Sequence, residues 1–202
     1  MTTDEQTIEQ LAIRTPPDLE ALEQALESTD HRSRLAAVRS LAAADQRRLY
    51  AAAEDRPASL EKFVPADAEP MREVIHDGHN TLPVFRSFQK RFCRPPEGAS
   101  DADSDCLWGY NEQTLGIFTG PGYFTAHESE STGETWIDYR KLPSDRLSHW
   151  PDIVSNESRL GRFVYAGMVD RMRSLSRHVT IGRAFDGDVP TDNWFILVRR
   201  ST

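Results

Sequence analysis

The spacing of apolar residues divides the chain into a helical first part and a β-rich last part. Between residues 19 and 56, apolar side chains recur every three or four residues, which places them on one face of a helix. From about residue 106 they occur in short runs rich in aromatic and β-branched residues, separated by turn residues. This pattern predicts an α+β protein in which N-terminal helices pack beside an antiparallel sheet.

Two helical segments are predicted before Pro57. Thr15 is placed to cap the first and Pro16 suits its first turn. The second covers residues 31–56, and we expect a break in its alanine-rich middle, with Asp45 capping the helix that follows. The apolar positions of the first helix are Leu19, Leu22 and Leu26.

A proline-rich connection lies between the helices and the β-rich part. Within it, "REVIHDGHNTLP" predicts a short hairpin that turns at Asp77-Gly78. The next stretch, "PVFRSFQKRFCRPP", predicts a short helix with Phe85, Phe88 and Phe92 on one side. Those rings are interpreted either as core or as part of a basic lid over a pocket. Residues 95–105 are acidic and small, which is typical of an exposed loop.

Short runs in the last part predict an antiparallel sheet that curls into a barrel, either closed or partly open. No helix-length pattern separates the runs, and parallel crossovers need about a dozen or more connecting residues. Closure removes exposed strand edges. We divide the chain into a flexible acidic leader (1–14), a helical layer with linker (15–70) and a barrel domain (71–202). The runs are 106–111, 114–119, 122–129, 134–142, 161–169, 177–185 and 193–200.

Side-chain alternation indicates which residues could line a cavity in such a barrel. One face of residues 177–185 carries small or polar side chains, which leave room for a ligand if they point inward and form a solvated surface if they point outward. Tyr123 and His127 share a face of the strand that follows the Gly-Pro-Gly turn at 120–122. Ligand contact and ordinary core packing both fit this pair and Trp136. The small face holds His178, Thr180, Gly182 and Ala184.

The segment "GMVDRMRSLSRHVTIGRAF", followed by "NWFILVRR", resembles the closing strands of calycin-like small-ligand barrels. The matching positions are Asp170, Arg173, Gly182 and Ala184, within about the last forty residues. The resemblance implies a barrel that holds a lipid-like or heterocyclic molecule. The candidate ligand-binding residues are therefore Tyr123, His127, Trp136, Asp170, Arg173 and His178.

Other site chemistries find little support in the sequence. His76 and His79 flank the predicted turn, but two further metal ligands would have to come from elsewhere, so we predict no metal site. Neither a nucleophile elbow nor a phosphate-binding loop is present. Asp170 fits two interpretations, a proton-transfer group or a structural ion pair with Arg171 or Arg173. Catalytic residues and cofactors are left unassigned.

Charge and hydropathy narrow the environment and the partners. The net charge of -8 argues against nucleic-acid binding, which depends on clustered Lys and Arg. The chain has neither an apolar run of about 18 residues nor a secretory leader, so we expect a cytoplasmic protein without a transmembrane segment. Acidic residues dominate 97–139 and basic residues dominate 140–185, an arrangement that fits solvated patches or a site for an anionic ligand or acidic partner.

Three functions remain open from the sequence. The first is non-catalytic binding of a small, largely apolar molecule in the barrel. The second is an isomerase, cyclase or lyase that uses the same cavity for proton transfer. The third is an assembly subunit that contacts a protein partner through the alanine-rich N-terminal helices.

Overall fold

A computed structural model of the chain describes residues 2–83, 86–99, 105–112, 121–154 and 167–200. In these residues four helices precede eight strands, so the predicted α+β class is confirmed. The strand predicted at 114–119 and most of the one predicted at 161–169 lie outside the described residues. The helices are α1 (Thr3–Ile13), α2 (Leu19–Ser28), α3 (His31–Ser40) and α4 (Ala43–Ala52).

Helix α1 occupies the stretch that the sequence predicts as a flexible leader. The Thr2 hydroxyl accepts a hydrogen bond from the Glu5 N–H, and the Glu5 carboxylate accepts one from the Thr2 N–H. This reciprocal pair is a capping box, and it satisfies two N–H groups that the first turn leaves unpaired. Ile8 and Ala12, one helical turn apart, are buried in the core between the helices and the barrel. The leader is therefore helical and packed.

The other helix ends follow the capping residues closely. Helix α2 begins after Asp18 and not directly after Thr15, because the Asp18 carboxylate accepts a hydrogen bond of 3.0 Å from the Ala21 N–H. The predicted break between the third and fourth helices is confirmed. Asp45 caps α4 from within its first turn, where its carboxylate accepts the Ala42 N–H at 3.0 Å.

The eight strands form a closed barrel in which each strand is antiparallel to its neighbours in the chain. The last strand pairs with the first, with Gly78 opposite Leu197, and this pairing closes the cylinder. The predicted antiparallel barrel is thus confirmed, and it is closed rather than partly open. The strands are β1 (Val74–Asn80), β2 (Ser87–Cys93), β3 (Leu107–Glu112), β4 (Gly122–Glu128), β5 (Thr135–Asp138), β6 (Met168–Ser174), β7 (Val179–Asp186) and β8 (Val189–Arg199).

The hairpin predicted at Asp77-Gly78 is wrong, because β1 runs straight through both residues. The glycine serves close packing instead of a turn. A Cβ atom added at Gly78 would lie 2.4 Å from Cζ of Phe88, whose ring covers the glycine from β2. Only a residue without a side chain fits beneath that ring, so the dipeptide that usually marks a turn here marks a contact inside the barrel.

The short helix predicted around Phe88 and Phe92 is also wrong, because these residues belong to β2. A spacing of four residues fits one face of a helix and one face of a strand equally well. In the strand, Phe88, Lys90 and Phe92 point into the barrel, whereas Gln89 and Arg91 point outward. The basic side chain at position 90 is therefore internal. Phe85 lies outside the described residues.

The small face predicted on β7 points inward. A Cβ atom at Gly182 would lie 2.4 Å from Cζ of Phe195 and 2.5 Å from Sδ of Met172, so the glycine again makes room for neighbouring side chains. Ala184 lies further along the same face and lines a cavity. The turn between β7 and β8 contains Gly187 at a φ of 59°, a conformation that glycine adopts without strain. Strand β6 continues to Ser174, beyond the predicted end at Val169.

The two ends of the barrel are filled differently. At one end, which we call the plugged end, Ala58, Phe63 and Val64 enter the apolar interior from the segment before β1. Phe63 is fully buried and its ring lies 5.2 Å from that of Phe92. At the opposite end, where β1 finishes at Asn80, the interior contains a cavity. We call this the cavity end.

Two layers cover the outside of the barrel. The four helices pack over β7 and β8, where their apolar faces meet Val179, Ile181, Ile196 and Val198. The segment after β5 places Leu147 and Trp150 against β3 and β4. Outward-facing apolar residues of these strands are thus buried as well, and inside the barrel the cavity end has space among the described side chains.

Candidate functional site

The candidate site is a cavity of about 120 Å³ at the cavity end of the barrel. Its apolar wall comes from aromatic and aliphatic side chains, and several amides and two charged groups supply polarity. Such a mixture of apolar wall and few polar groups is typical of small-molecule sites. The lining residues are Asn80, Leu82, Phe88, Lys90, Asn111, Tyr139, Met168, Asp170, Ala184, Asn193, Trp194 and Phe195.

The chemistry of the cavity centres on Lys90. Its Nζ lies 3.1 Å from Oδ2 of Asp170, and the two side chains are only 3% and 6% exposed. The same nitrogen donates a hydrogen bond to the hydroxyl of Tyr139. Strand alternation creates this arrangement, because β2, β6 and the residue after β5 each direct one polar side chain into the lumen. Three groups that can exchange protons therefore meet beside one cavity.

Aromatic rings surround the Lys90 ammonium group. Its nitrogen lies 4.8 Å from the ring centroid of Tyr139 and 5.1 Å from that of Phe195. The centroids of Phe88 and Phe124 are 5.6 Å and 5.3 Å away. Cations within about 6 Å of a ring face are attracted by its quadrupole. The rings exclude water and still give the cation some electrostatic support.

Burial shifts both ionisable groups of the pair toward neutrality. Loss of hydration lowers the pKa of Lys90, although the nearby carboxylate partly opposes that shift. Loss of hydration also raises the pKa of Asp170, against the influence of the Lys90 ammonium. A buried pair of this kind can share one proton between nitrogen and oxygen. Lys90 can therefore act in the site either as a neutral amine or as an ammonium ion.

Only Asp170 among the six sequence-predicted site residues lines this cavity. The ion pair expected between Asp170 and Arg171 or Arg173 is wrong, because neighbouring residues of a strand point to opposite faces. Asp170 pairs with Lys90 inside, whereas Arg173 pairs outside with Glu134 at 2.8 Å. Arg173 also donates to the Tyr50 carbonyl and links the barrel to α4.

The other four predicted site residues lie away from the cavity. Tyr123 is buried beneath Trp150 on the outer face and donates its hydroxyl proton to the Pro151 carbonyl. His127 and Trp136 face each other across β4 and β5, outside the barrel, with ring centroids 6.3 Å apart. The sixth residue, His178, precedes β7 near the plugged end, where its Nδ1 lies 3.4 Å from Nη2 of Arg199. The six residues do not form one site.

The two histidines considered as metal ligands are also separated. His76 points into the barrel, where its Nε2 is 2.9 Å from the Phe63 carbonyl oxygen and burial lowers its pKa to about 3. His79 lies three residues along the same strand and therefore faces outward. In the described part of the chain, no three His, Cys, Asp or Glu side chains come together as metal ligands.

Sequence reasoning missed Lys90 and Tyr139 because nothing in their identity marks them as internal. One signal was available. The alternation Phe88, Lys90, Phe92 against Ser87, Gln89, Arg91 is that of a strand with one apolar face interrupted by a lysine. A basic residue on an otherwise apolar strand face is unusual, and it points to a buried partner such as Asp170.

Comparisons with known proteins found no match that would identify the site. No family model, no curated protein and no solved structure matches the chain. None of the helices described here combines the length and the apolar character needed to cross a bilayer.

Proposed function

We propose that the protein binds a small molecule at the cavity end of the barrel, with the ligand's apolar body against aromatic side chains and its polar group beside Lys90. The observation that carries the proposal is the placement of Lys90. An ammonium group has three N–H donors. Two are directed to Asp170 and Tyr139, and the group lies in the wall of the cavity. The third donor can serve a ligand.

The cavity limits the size and chemistry of that ligand. An apolar cavity of about 150 Å³ holds benzene. A volume of about 120 Å³ therefore suits a molecule of roughly five or six non-hydrogen atoms, and a longer one would extend toward the mouth. A ligand would accept the hydrogen bond from Lys90 through an atom such as a carbonyl oxygen. Because Asp170 already balances the charge of Lys90, a neutral ligand fits better than an anion.

The proposal keeps part of what the sequence indicates. An eight-stranded antiparallel closed barrel is the architecture expected for a calycin-like protein, and membership of that class stays a prediction. A small heterocycle is compatible with the cavity volume, whereas a long lipid would not be enclosed. Asp170 is retained as a lining residue. Ligand contact by the other five candidates stays a prediction.

Calorimetric titration with butyramide, a neutral six-atom carbonyl compound, tests the proposal. Ala184→Leu places a larger side chain in the cavity and should weaken binding because it fills space that the ligand needs. We expect at least about a tenfold loss of affinity, which corresponds to about 1.4 kcal/mol of binding free energy. His127→Gln changes the outer face and should leave binding unchanged. Loss of binding in His127→Gln with retention in Ala184→Leu would move the site to the outer surface and refute the proposal.

A second candidate function is an isomerase, cyclase or lyase acting in the same cavity. Lys90, Asp170 and Tyr139 lie within hydrogen-bond reach of one another, which proton transfer requires. Deuterium exchange of the α-protons of butan-2-one, followed by NMR in heavy water, tests it. An enzyme of this kind would accelerate exchange, and Ala184→Leu would remove the acceleration. Equal exchange rates with and without protein would exclude this chemistry for small ketones.

The assembly hypothesis rested on the alanine-rich N-terminal helices, the opposed charge blocks and the patterned acidic leader. The apolar faces of the helices pack against β7 and β8 of the same chain, so they need no partner to be buried. A protein partner that binds the exposed side of the helices stays a prediction. Native mass spectrometry at working concentration tests it through the oligomeric mass.

A further inference from the structure

The buried lysine has a chemical property that simple binding does not use. Resting on the proposed function, we infer that Lys90 forms an imine with a small aldehyde or ketone held in the cavity. The amine nitrogen and the carbonyl carbon would meet at the cavity wall, where the ligand's polar group is proposed to lie. The substrate class is thus a small aldehyde or ketone, and the reacting atom of the protein is Lys90 Nζ.

Geometry around the nitrogen supports the reaction. A lysine acts as a nucleophile when it is desolvated in an apolar pocket, because desolvation favours the neutral amine. Four aromatic rings lie within 5.6 Å of Lys90 Nζ, measured to their centroids. Asp170 and Tyr139 are hydrogen-bonded to the same nitrogen and can accept or return protons during the reaction.

The ionisation of the pair favours the same chemistry. Burial lowers the pKa of Lys90 and raises that of Asp170. Both shifts increase the population in which the proton has moved from nitrogen to the carboxylate. That population presents a neutral amine next to a carboxylic acid, the two forms that imine formation needs.

The reaction balances with groups already in the site. The Lys90 amine adds to the carbonyl carbon. Transfer of a proton from the nitrogen to the former carbonyl oxygen then gives a neutral carbinolamine. Protonation of the carbinolamine hydroxyl by the Asp170 carboxylic acid then releases water and forms the C=N bond. The products are a protonated imine on Lys90, the Asp170 carboxylate and one water molecule. The Tyr139 hydroxyl can carry the proton between these atoms, and no oxidant or external reductant is required.

The other lysines provide internal controls. The chain contains three lysines, at positions 62, 90 and 141. Lys62 contacts the Ser176 carbonyl oxygen at 3.4 Å near the plugged end, and Lys141 is exposed. Neither lines the cavity, so each reports the reactivity of a lysine outside the proposed site.

The test is reductive trapping with butanal and cyanoborohydride at neutral pH, followed by peptide mapping of the wild-type protein. Because the cavity would hold butanal beside the desolvated Lys90 nitrogen, we expect butylation of Lys90 to be several-fold faster than that of Lys62 or Lys141. Modification of Lys90 at the same rate or more slowly would overturn the inference. The wild-type chain carries all three sites, so the result does not depend on whether a variant folds.

Butyramide separates failure of this inference from failure of the proposed function. It resembles butanal in size but forms no imine. If the reaction takes place in the cavity, butyramide should slow trapping at Lys90 and leave the other two sites unaffected. Calorimetric binding of butyramide without preferential trapping would keep the binding site and reject the imine. Absence of both would reject the two proposals together.

Discussion

Lys90 and Asp170 form an ion pair across the barrel, with Nζ 3.1 Å from Oδ2, although their strands lie on opposite sides of the cylinder. Their sequence separation is 80 residues. The pair joins β2 to β6 through the lumen at the edge of the cavity. Below it, toward the plugged end, the interior is filled by apolar side chains. The same contact therefore contributes to the site and to the fold.

Replacing one member of the pair should cost more stability than replacing both. Lys90→Met or Asp170→Leu alone leaves a buried polar group without its partner, and such changes cost about 3–5 kcal/mol. The double variant removes both desolvated groups, so its free energy of unfolding should lie closer to that of the wild type than either single variant does. Urea unfolding of the four proteins measures this coupling. Additive losses would show that the two side chains do not interact.

Gly78 should be intolerant of a side chain because of Phe88. Gly78→Ala places a Cβ atom 2.4 Å from the ring, and this overpacking should lower the free energy of unfolding by about 1–3 kcal/mol. The matched background is Phe88→Leu, in which the smaller side chain leaves space for the new methyl group. Urea unfolding should then show a much smaller loss for Gly78→Ala. An equal loss in both backgrounds would place the strain elsewhere.

These two contacts show where sequence reasoning succeeds and where it stops. The last six strands of the barrel, β3 to β8, contain enough aromatic and β-branched residues for a strand prediction, apart from the extension of β6 to Ser174. In contrast, Asp77-Gly78 is a common turn signal. Gly78 lies within a strand, where it packs beneath the ring of Phe88, 10 positions away in sequence. Long-range packing of this kind overrides local propensity.

The candidate site is harder to predict than the fold for a related reason. Asp170 entered the prediction through a resemblance, and alternation placed Gly182 and Ala184 on one face but left open whether that face points inward. Lys90 was assigned to a short helix because the spacing of the neighbouring phenylalanines fits one helical face. Its burial depends on the direction in which β2 faces, and this in turn depends on pairing with both adjacent strands. The residues of one short segment do not reveal which strands it will pair with, and so do not reveal which of its faces is internal.

Asp77 should contribute stability that depends on pH. Burial alone would raise its pKa, but hydrogen bonds from Arg200, Gln89 and His31 outweigh that effect and lower the pKa to about 2. Because the folded pKa lies below the unfolded value, the ionised group stabilises the protein above about pH 4. This contribution is lost as the pH falls toward 2.

Asp77→Asn tests that dependence. At neutral pH the variant should lose about 1–3 kcal/mol of unfolding free energy, because the amide cannot accept all of these hydrogen bonds. The difference from the wild type should shrink between about pH 4 and pH 2. Asp188→Asn is the matched control, since Asp188 is 93% exposed and its ion pair with Arg171 should contribute little at any pH. A difference for Asp77→Asn that persists unchanged at pH 2 would contradict the assignment.

Lys90 should titrate at lower pH than an ordinary lysine side chain. Selective ¹³C labelling of lysine Cε gives one signal for each of the three side chains, and single Lys→Arg changes at 62 and 141 assign two of them. Because burial lowers the pKa of Lys90, its signal should move below the pH range in which a lysine in an unfolded peptide titrates. Titration of the Lys90 signal at the ordinary lysine pKa would show that Lys90 is hydrated.

The same labelled protein provides the most direct test of the proposed binding site. Butyramide is added stepwise at constant pH while the three Cε signals are recorded. The account predicts a saturable shift of the Lys90 signal, unchanged positions for Lys62 and Lys141, and no Lys90 shift in Ala184→Leu. A Lys90 signal that stays fixed in the wild type, or that moves equally in Ala184→Leu, would contradict binding at the cavity end of the barrel.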